Sequence, residues 1–323
     1  MSKNNHLNKI KFFNHSKSGN YIITVTIGKK YIREWEKYAK NSWLKYCRKN
    51  SIGLAIIHDH LLPISNIYWK KPQWQKFIIG KFIVENNLKI SNVCYLDSDI
   101  LINPNAENIF KYNKKNKISL VSQISNLPYN DLNYIRRKIA FNRHNYLSKR
   151  YPLDSALFMS LKQIYKYHNC KPQKDFACMG LFMFNVKRFY KIMNKWFEKY
   201  NRNVKSLSGG GEEPLLNYEI LNYGKVNWLQ YKFQALWTYE IAFKYSFLYK
   251  NLNDKKLIKL CIEDSLNDNY FLHFAGSWHE TTIWKNKKIF NDKKLIKLNR
   301  EFIKYLKTKV TGKPKGRILP KSK

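Results

Sequence analysis

Residues 91–102 read SNVCYLDSDILI: an apolar run, Val93-Cys94-Tyr95-Leu96, gives way to two acids one residue apart, Asp97 and Asp99, before the chain turns apolar again. A short apolar run that stops at acids reads as a buried strand ending at a polar loop. Two carboxylates spaced this way reach the same side of the strand end and suit one hard divalent cation, Mn²⁺ or Mg²⁺, of the kind that shares its shell with substrate phosphates. The bland alternative is a pair of solvated turn acids.

Upstream of this stretch, YIITVTIG (21–28) is a β-branched run closed by Gly28, the first segment expected to be ordered, so 1–19 is expected to be a flexible lead-in. Ile32, Trp35, Tyr38, Ala39, Trp43, Tyr46 and Cys47 recur at helical spacing and predict one helix over 32–48, after which GLAIIH (53–58) reads as a second strand. PQWQKFIIGKFIVE (72–85) opens with a proline suited to a first helical turn and continues with an amphipathic pattern. Strand, helix, strand, helix, strand predicts an α/β fold with a mostly parallel central sheet and flanking helices, whose ligands collect at the carboxyl ends of the strands. Asp97 and Asp99 stand at such an end.

Downstream, KISLVSQ (117–123) and FACMGLFMFNV (176–186) read as further strands, the latter leading into a helix over 187–200, while SLSGGGEEPLLNYEIL (206–221) reads as a glycine-rich loop feeding a helix. Residues 128–157, rich in Tyr and Arg, read as an irregular stretch suited to acceptor contacts. VNWLQYKFQALW (226–237) reads as strand and loop, and YFLHFAGSWH (270–279) is an apolar strand running into His273 with Gly276 three residues later. That pattern offers an imidazole ligand and a turn whose backbone can approach an anion, although His273 alone is equally suited to a core position.

The two motifs together resemble a GT-A nucleotide-sugar glycosyltransferase, and most closely glycosyltransferase family 8. The matching residues are Leu96-Asp97-Ser98-Asp99-Ile100 and the late His273-Phe274-Ala275-Gly276. The resemblance spans roughly 20–285 and includes Thr24 to Ile27, Trp74-Gln75-Lys76 and the strand Met179-Gly180-Leu181 to Asn185. It implies a Rossmann-like GT-A domain over 20–285 followed by a basic tail over 286–323. It further implies a metal held by Asp97, Asp99 and His273, a UDP-sugar donor touched by Thr24, Thr26, Ile27, Lys76, Asp97, Ser98, Gly276 and Lys285, and transfer of a hexose with retention to a glycan, lipopolysaccharide or lipid-linked acceptor. Lys76, Arg136, Arg137 and Lys285 are candidates for the donor's phosphate charge. Glu212 and Glu213, adjacent acids at a helix start, are either first-turn acids that steady the helix or the candidate catalytic acids, one of them orienting the acceptor hydroxyl or taking its proton. The family's Asp-Gln-Asp-x-x-Asn helix start stands here as Glu212-Glu213-Pro214-Leu215-Leu216-Asn217, and its usual Lys-Pro-Trp is replaced by Ser277-Trp278-His279.

Composition sets the outer bounds. With 323 residues, 44% hydrophobic and 16% aromatic, the chain can bury a core, which excludes disorder and a disulfide-stapled miniprotein. Five scattered cysteines with no Cys-x-x-Cys point to a reducing compartment. The polar first twenty residues lack a signal-peptide core, and no run of about 18 apolar residues occurs, so the expected location is cytoplasmic, peripheral at the inner face of a membrane. The net charge of +38 invites a polyanionic partner, yet only ten of the 60 basic residues are Arg, and the excess of Lys, Asn and Ile together also fits biased coding composition.

Part of that charge lies in the tail. Leu295, Ile296, Leu298, Phe302, Ile303, Leu306 and Val310 fall on one side of a helical wheel, with Lys297, Arg300, Lys304 and Lys307 on the rest, so 291–323 is expected either to dock on the domain by its apolar face or to lie along an anionic membrane. A nucleic-acid-binding protein is the alternative from another class, without a helix-turn-helix, zinc or RNP-like motif to support it. A nucleotidyltransferase on a related sheet would want a glycine-rich phosphate loop, and Thr24 to Lys30 offers only Gly28. The repeat of NDKKLIKL at 253–260 and 291–298 reads as biased composition, since nothing else recurs at that period.

Overall fold

The computed structural model describes residues 8–129, 131–147, 159–202, 204 and 212–275. In chain order the first elements are β1 (Ile10–Asn14), β2 (Asn20–Val25), α1 (Lys29–Tyr38), α2 (Lys40–Lys49), β3 (Gly53–Ile57), α3 (Pro72–Gln75), α4 (Ile79–Glu85), β4 (Asn92–Leu96), β5 (Ile100–Ile102) and β6 (Ile118–Ser122). There follow α5 (Leu132–Tyr146), α6 (Leu161–Tyr167), β7 (Ala177–Asn185), α7 (Val186–Lys199), α8 (Glu212–Tyr223), β8 (Val226–Leu229), β9 (Ala235–Leu236), α9 (Trp237–Phe243), α10 (Lys255–Asp268) and β10 (Phe271–His273).

Among the described residues the central sheet has the order β1-β3-β2-β4-β7-β6-β8. Strands β2, β3, β4, β6 and β8 share one direction, whereas β1 and β7 run against their neighbours. The α/β architecture with a mostly parallel sheet is as the sequence predicts. All nine residues of β7, ACMGLFMFN, are buried, the continuous apolar run of a strand covered on both faces. One face packs on Trp35, Trp43 and Tyr46 of α1 and α2, and the other on Trp74, Phe77 and Phe82, with Phe189 and Trp196 of α7 beside them. Successive β4 residues alternate between these layers, Cys94 and Leu96 with the first, Val93 and Tyr95 with the second. Strands β5, β10 and β9 form a small second sheet in that order.

Four expectations are corrected. The lead-in expected to be flexible contains β1, whose Ile10 lies opposite Ile57 at the sheet edge. The single helix expected over 32–48 is two helices parted at Ala39: the Ser42 hydroxyl donates to the Ala39 carbonyl at 2.8 Å, and the break lets Trp35 and Trp43 meet edge-on with centroids 5.6 Å apart. The helix from Pro72 is interrupted by a 3₁₀ turn at Lys76–Ile78, which carries the Lys76 side chain inward. The stretch read as irregular over 128–157 holds the 15-residue α5, begun by Asp131, whose carboxylate accepts the Tyr134 N–H at 3.0 Å.

The first copy of NDKKLIKL folds as the start of α10, its Asp254 accepting the Leu257 N–H at 3.0 Å. The second copy lies outside the described residues. Among the described residues no helix is long and apolar enough to cross a membrane.

Candidate metal and donor site

Strand β4 is paired on both sides, with β2 and with β7, so its carboxyl end is fixed before any side chain of the site is placed. The Asp97 N–H donates to the Gly180 carbonyl at 2.8 Å, and the Tyr95 hydroxyl donates to Asp97 Oδ1 at 2.6 Å. The chain then turns through Ser98 and Asp99, both half-buried, and enters β5. β10 runs antiparallel to β5 with His273 opposite Ile100, and the Phe274 N–H donates to the Asp99 carbonyl at 3.1 Å.

This pairing carries the imidazole to the acids. His273 Nε2 lies 3.2 Å from Asp99 Oδ1 and 3.8 Å from Asp97 Oδ2. One ligand atom from each of the three residues falls within 4.8 Å of the others. The His273 side chain is 2% exposed, whereas those of Asp97 and Asp99 are 34% and 35% exposed, so the acids face outward and the imidazole backs them. Two carboxylates and an imidazole suit Mn²⁺ or Mg²⁺, and the donor set fits such an ion.

The local charges follow from this crowding. Burial raises the pKa of Asp97 against the pull of Lys76 and His273. Burial pushes Asp99 the same way, but the imidazole facing it, together with its own backbone N–H and Lys76, outweighs burial, and its pKa ends below the ordinary value. At His273 burial opposes the charged ring, yet Cys178 and Asp99 more than offset it and hold the pKa well above the ordinary value.

A second group of side chains reaches the same place from the other core layer. The Lys76 ammonium donates to the Met179 carbonyl at 2.8 Å and lies 3.3 Å from Glu212 Oε1. Expected to meet donor phosphate, Lys76 is instead enclosed, 1% exposed and committed to these two partners, because the 3₁₀ turn aims it beneath β7. Glu213 Oε1 accepts the Met179 N–H at 3.3 Å, and burial, with Glu212 beside it, pushes the Glu213 pKa up to about 7. Asn217 brackets Ala177, accepting its N–H at 2.7 Å and donating to its carbonyl at 2.8 Å, which docks α8 on the start of β7.

Of the residues assigned to donor binding, Thr24 and Thr26 are buried at the carboxyl end of β2, and neither hydroxyl has a partner among the described residues. Ile27 is half-buried, and Gly28 follows at φ 102°, a left-handed conformation that turns the chain into α1. Arg137 is exposed and, among the described residues, bonds only locally, its Nε donating to the Asn133 carbonyl at 3.3 Å, while Arg136 reaches the Tyr239 hydroxyl. Gly276, Lys285 and the tail 286–323 lie outside the described residues.

The sequence reading left four participants without a role: Tyr95, Cys178, Gly180 and Gln234. Gly180 carried a readable signal, a glycine inside an apolar strand, which marks a close approach of something to backbone. Cys178 and Gln234 meet the site only once β10 is in place, through His273, whereas Tyr95 reaches Asp97 from its own strand end.

No protein-family profile and no curated protein matches the chain. Among solved structures it is similar to a glycosyltransferase involved in the glycosylation of the major capsid of PBCV-1, at 10% identity over 81% of this chain and 97% of that one, with a TM-score of 0.46. It is also similar to the glycosyltransferase GlyE of Streptococcus pneumoniae TIGR4, at 15% identity over 90% and 64% of the two chains, with a TM-score of 0.43. The galactosyltransferase LgtC, solved with donor and acceptor sugar analogs, is 13% identical over 87% and 95%, with a TM-score of 0.41.

Proposed function

We propose that this chain is a metal-dependent glycosyltransferase that moves a hexose, with retention, from a nucleoside diphosphate sugar, a UDP-sugar, to a glycan or lipid-linked acceptor. The observation that carries this reading is the convergence of Asp97, Asp99 and His273, from opposite ends of the chain, within 4.8 Å at the carboxyl end of a central strand. That is where an α/β sheet collects its ligands.

In this reading Asp97, Asp99 and His273 hold the cation, and the unpaired hydroxyls of Thr24 and Thr26 face the nucleotide. Bound there, the divalent ion would act as a Lewis acid and template, neutralising the diphosphate as it leaves. Lys76 holds positive charge behind Asp97 and pairs with Glu212. Glu213, titrating near neutrality, is the acid suited to orient the acceptor hydroxyl or exchange its proton. The domain occupies 20–285 together with β1, and the basic segment 291–323 lies along anionic lipid and holds the enzyme at the membrane's inner face.

The deciding measurement is release of UDP from UDP-glucose and UDP-galactose with and without Mn²⁺. Wild type should turn over only with the metal, and Asp97→Asn and Asp99→Asn should lose most of that activity. Variants that match wild type, or turnover indifferent to Mn²⁺, would remove the reading. Deleting 291–323 and measuring co-sedimentation with anionic vesicles tests the tail separately.

A further inference from the structure

Gln234 closes the short 3₁₀ turn Tyr231–Gln234 and precedes β9, which pairs in parallel with β10 so that Leu236 is level with His273. Its side chain is buried, 2% exposed, and one end of its amide lies 3.1 Å from His273 Nδ1. The other end has no partner among the described residues. An amide's oxygen and nitrogen exchange places by rotation of the end group, so what the geometry fixes is that one end of Gln234 faces Nδ1.

A neutral imidazole carries one N–H. For Nε2 to offer its lone pair to a cation the proton must sit on Nδ1, and a buried Nδ1–H needs an acceptor. Among the described residues two groups face Nδ1: the Gln234 amide and the Cys178 sulfur at 3.5 Å. Sulfur is a weak acceptor, so the amide oxygen is the better partner for an Nδ1–H. If the proton sat on Nε2 instead, it would donate to Asp99 Oδ1 at 3.2 Å and the triad would close on itself.

We propose that Gln234 is a positioning residue whose amide oxygen accepts the Nδ1–H of His273, selecting the tautomer whose Nε2 lone pair faces Asp97 and Asp99. The proposal rests on the reading that these three residues hold a divalent cation. A buried amide paired at one end only does little for the fold. Its replacement by an apolar residue therefore separates the two roles.

The test is calorimetric titration of Mn²⁺ into the full chain for wild type, Gln234→Leu, Gln234→Glu and Asp99→Asn, with the melting temperature of each metal-free protein. Gln234→Leu should weaken Mn²⁺ binding 10- to 100-fold without lowering the melting temperature, and Gln234→Glu, an acceptor of the same shape, should bind at least as tightly as wild type. Leucine binding as wild type, or glutamate weakened as much as leucine, overturns the proposal and leaves the metal site standing. Should the leucine variant lose its fold, the glutamate variant decides alone, a tenfold loss overturning the idea. Wild type that fails to bind Mn²⁺, or Asp99→Asn that binds it equally, removes the metal reading and the proposal with it.

Discussion

The backbone of β7 passes so close to His273 that a Cβ at Gly180 would lie 2.1 Å from the imidazole Cε1 and 2.9 Å from Asp97 Oδ2. Gly180 is therefore the floor of the triad. Gly180→Ala must displace the ring from between the acids. Overpacking of this kind costs about 1–3 kcal/mol, and the expected result is a folded protein whose Mn²⁺ affinity falls at least about tenfold. A Mn²⁺ titration of the variant checks this, and wild-type affinity would mean that ring and backbone are not in contact.

Lys76 and Glu212 form an ion pair enclosed between core layers, with side chains 1% and 12% exposed. Removing one partner strands the other. Lys76→Met should cost about 3–5 kcal/mol in denaturant unfolding, and adding Glu212→Gln should recover part of that loss. Equal and additive losses would show that the two groups do not feel each other.

Glu213 makes stability depend on pH. The folded chain keeps its proton up to about 7, whereas the ordinary value is 4.5, so between these limits the folded state binds the extra proton. This contribution is present in full below 4.5, declines as pH rises from 4.5 to 7, and is absent above that window. Glu213→Gln should flatten the midpoint-against-pH curve by a few kcal/mol at most. An unchanged slope in the variant would assign the dependence elsewhere.

Metal should stabilise the fold. An ion that binds only the folded chain adds about 2.7 kcal/mol at a hundredfold excess over its dissociation constant. Thermal scans should therefore show Mn²⁺ raising the midpoint, EDTA reversing it, and Asp99→Asn abolishing the shift.

The first half of the sheet was legible because its signals are local: β2, β3 and β4 are apolar runs bounded by Gly28, Gly53 and Asp97, and period alone identifies them. The break at Ala39 was not, because residues on either side keep one helical period and only the packing of Trp35 on Trp43 decides against a continuous rod. β1 was hidden for another reason. Its five residues IKFFN carry an edge strand's burial, one residue buried and the rest half-buried or exposed. At the site, the acids and His273 could be named from motif and spacing, but the surroundings of Nδ1 could not, since Cys178 and Gln234 reach it through strand pairing rather than through neighbouring sequence. Lys76, expected at the donor phosphate, is turned inward onto Met179 and Glu212, because nothing in PQWQKFIIG announces a 3₁₀ turn.

The pairing of His273 with Ile100 also orders events during synthesis. Six of the seven strands of the central sheet and the acids of the loop precede residue 200, whereas His273 arrives with Phe271–His273. A nascent chain interrupted before Phe271 would already have Asp97 and Asp99 but could not complete the triad. Metal capture would then report that the last described strand has docked, and released chains truncated on either side of Phe271–His273 would differ in Mn²⁺ retention.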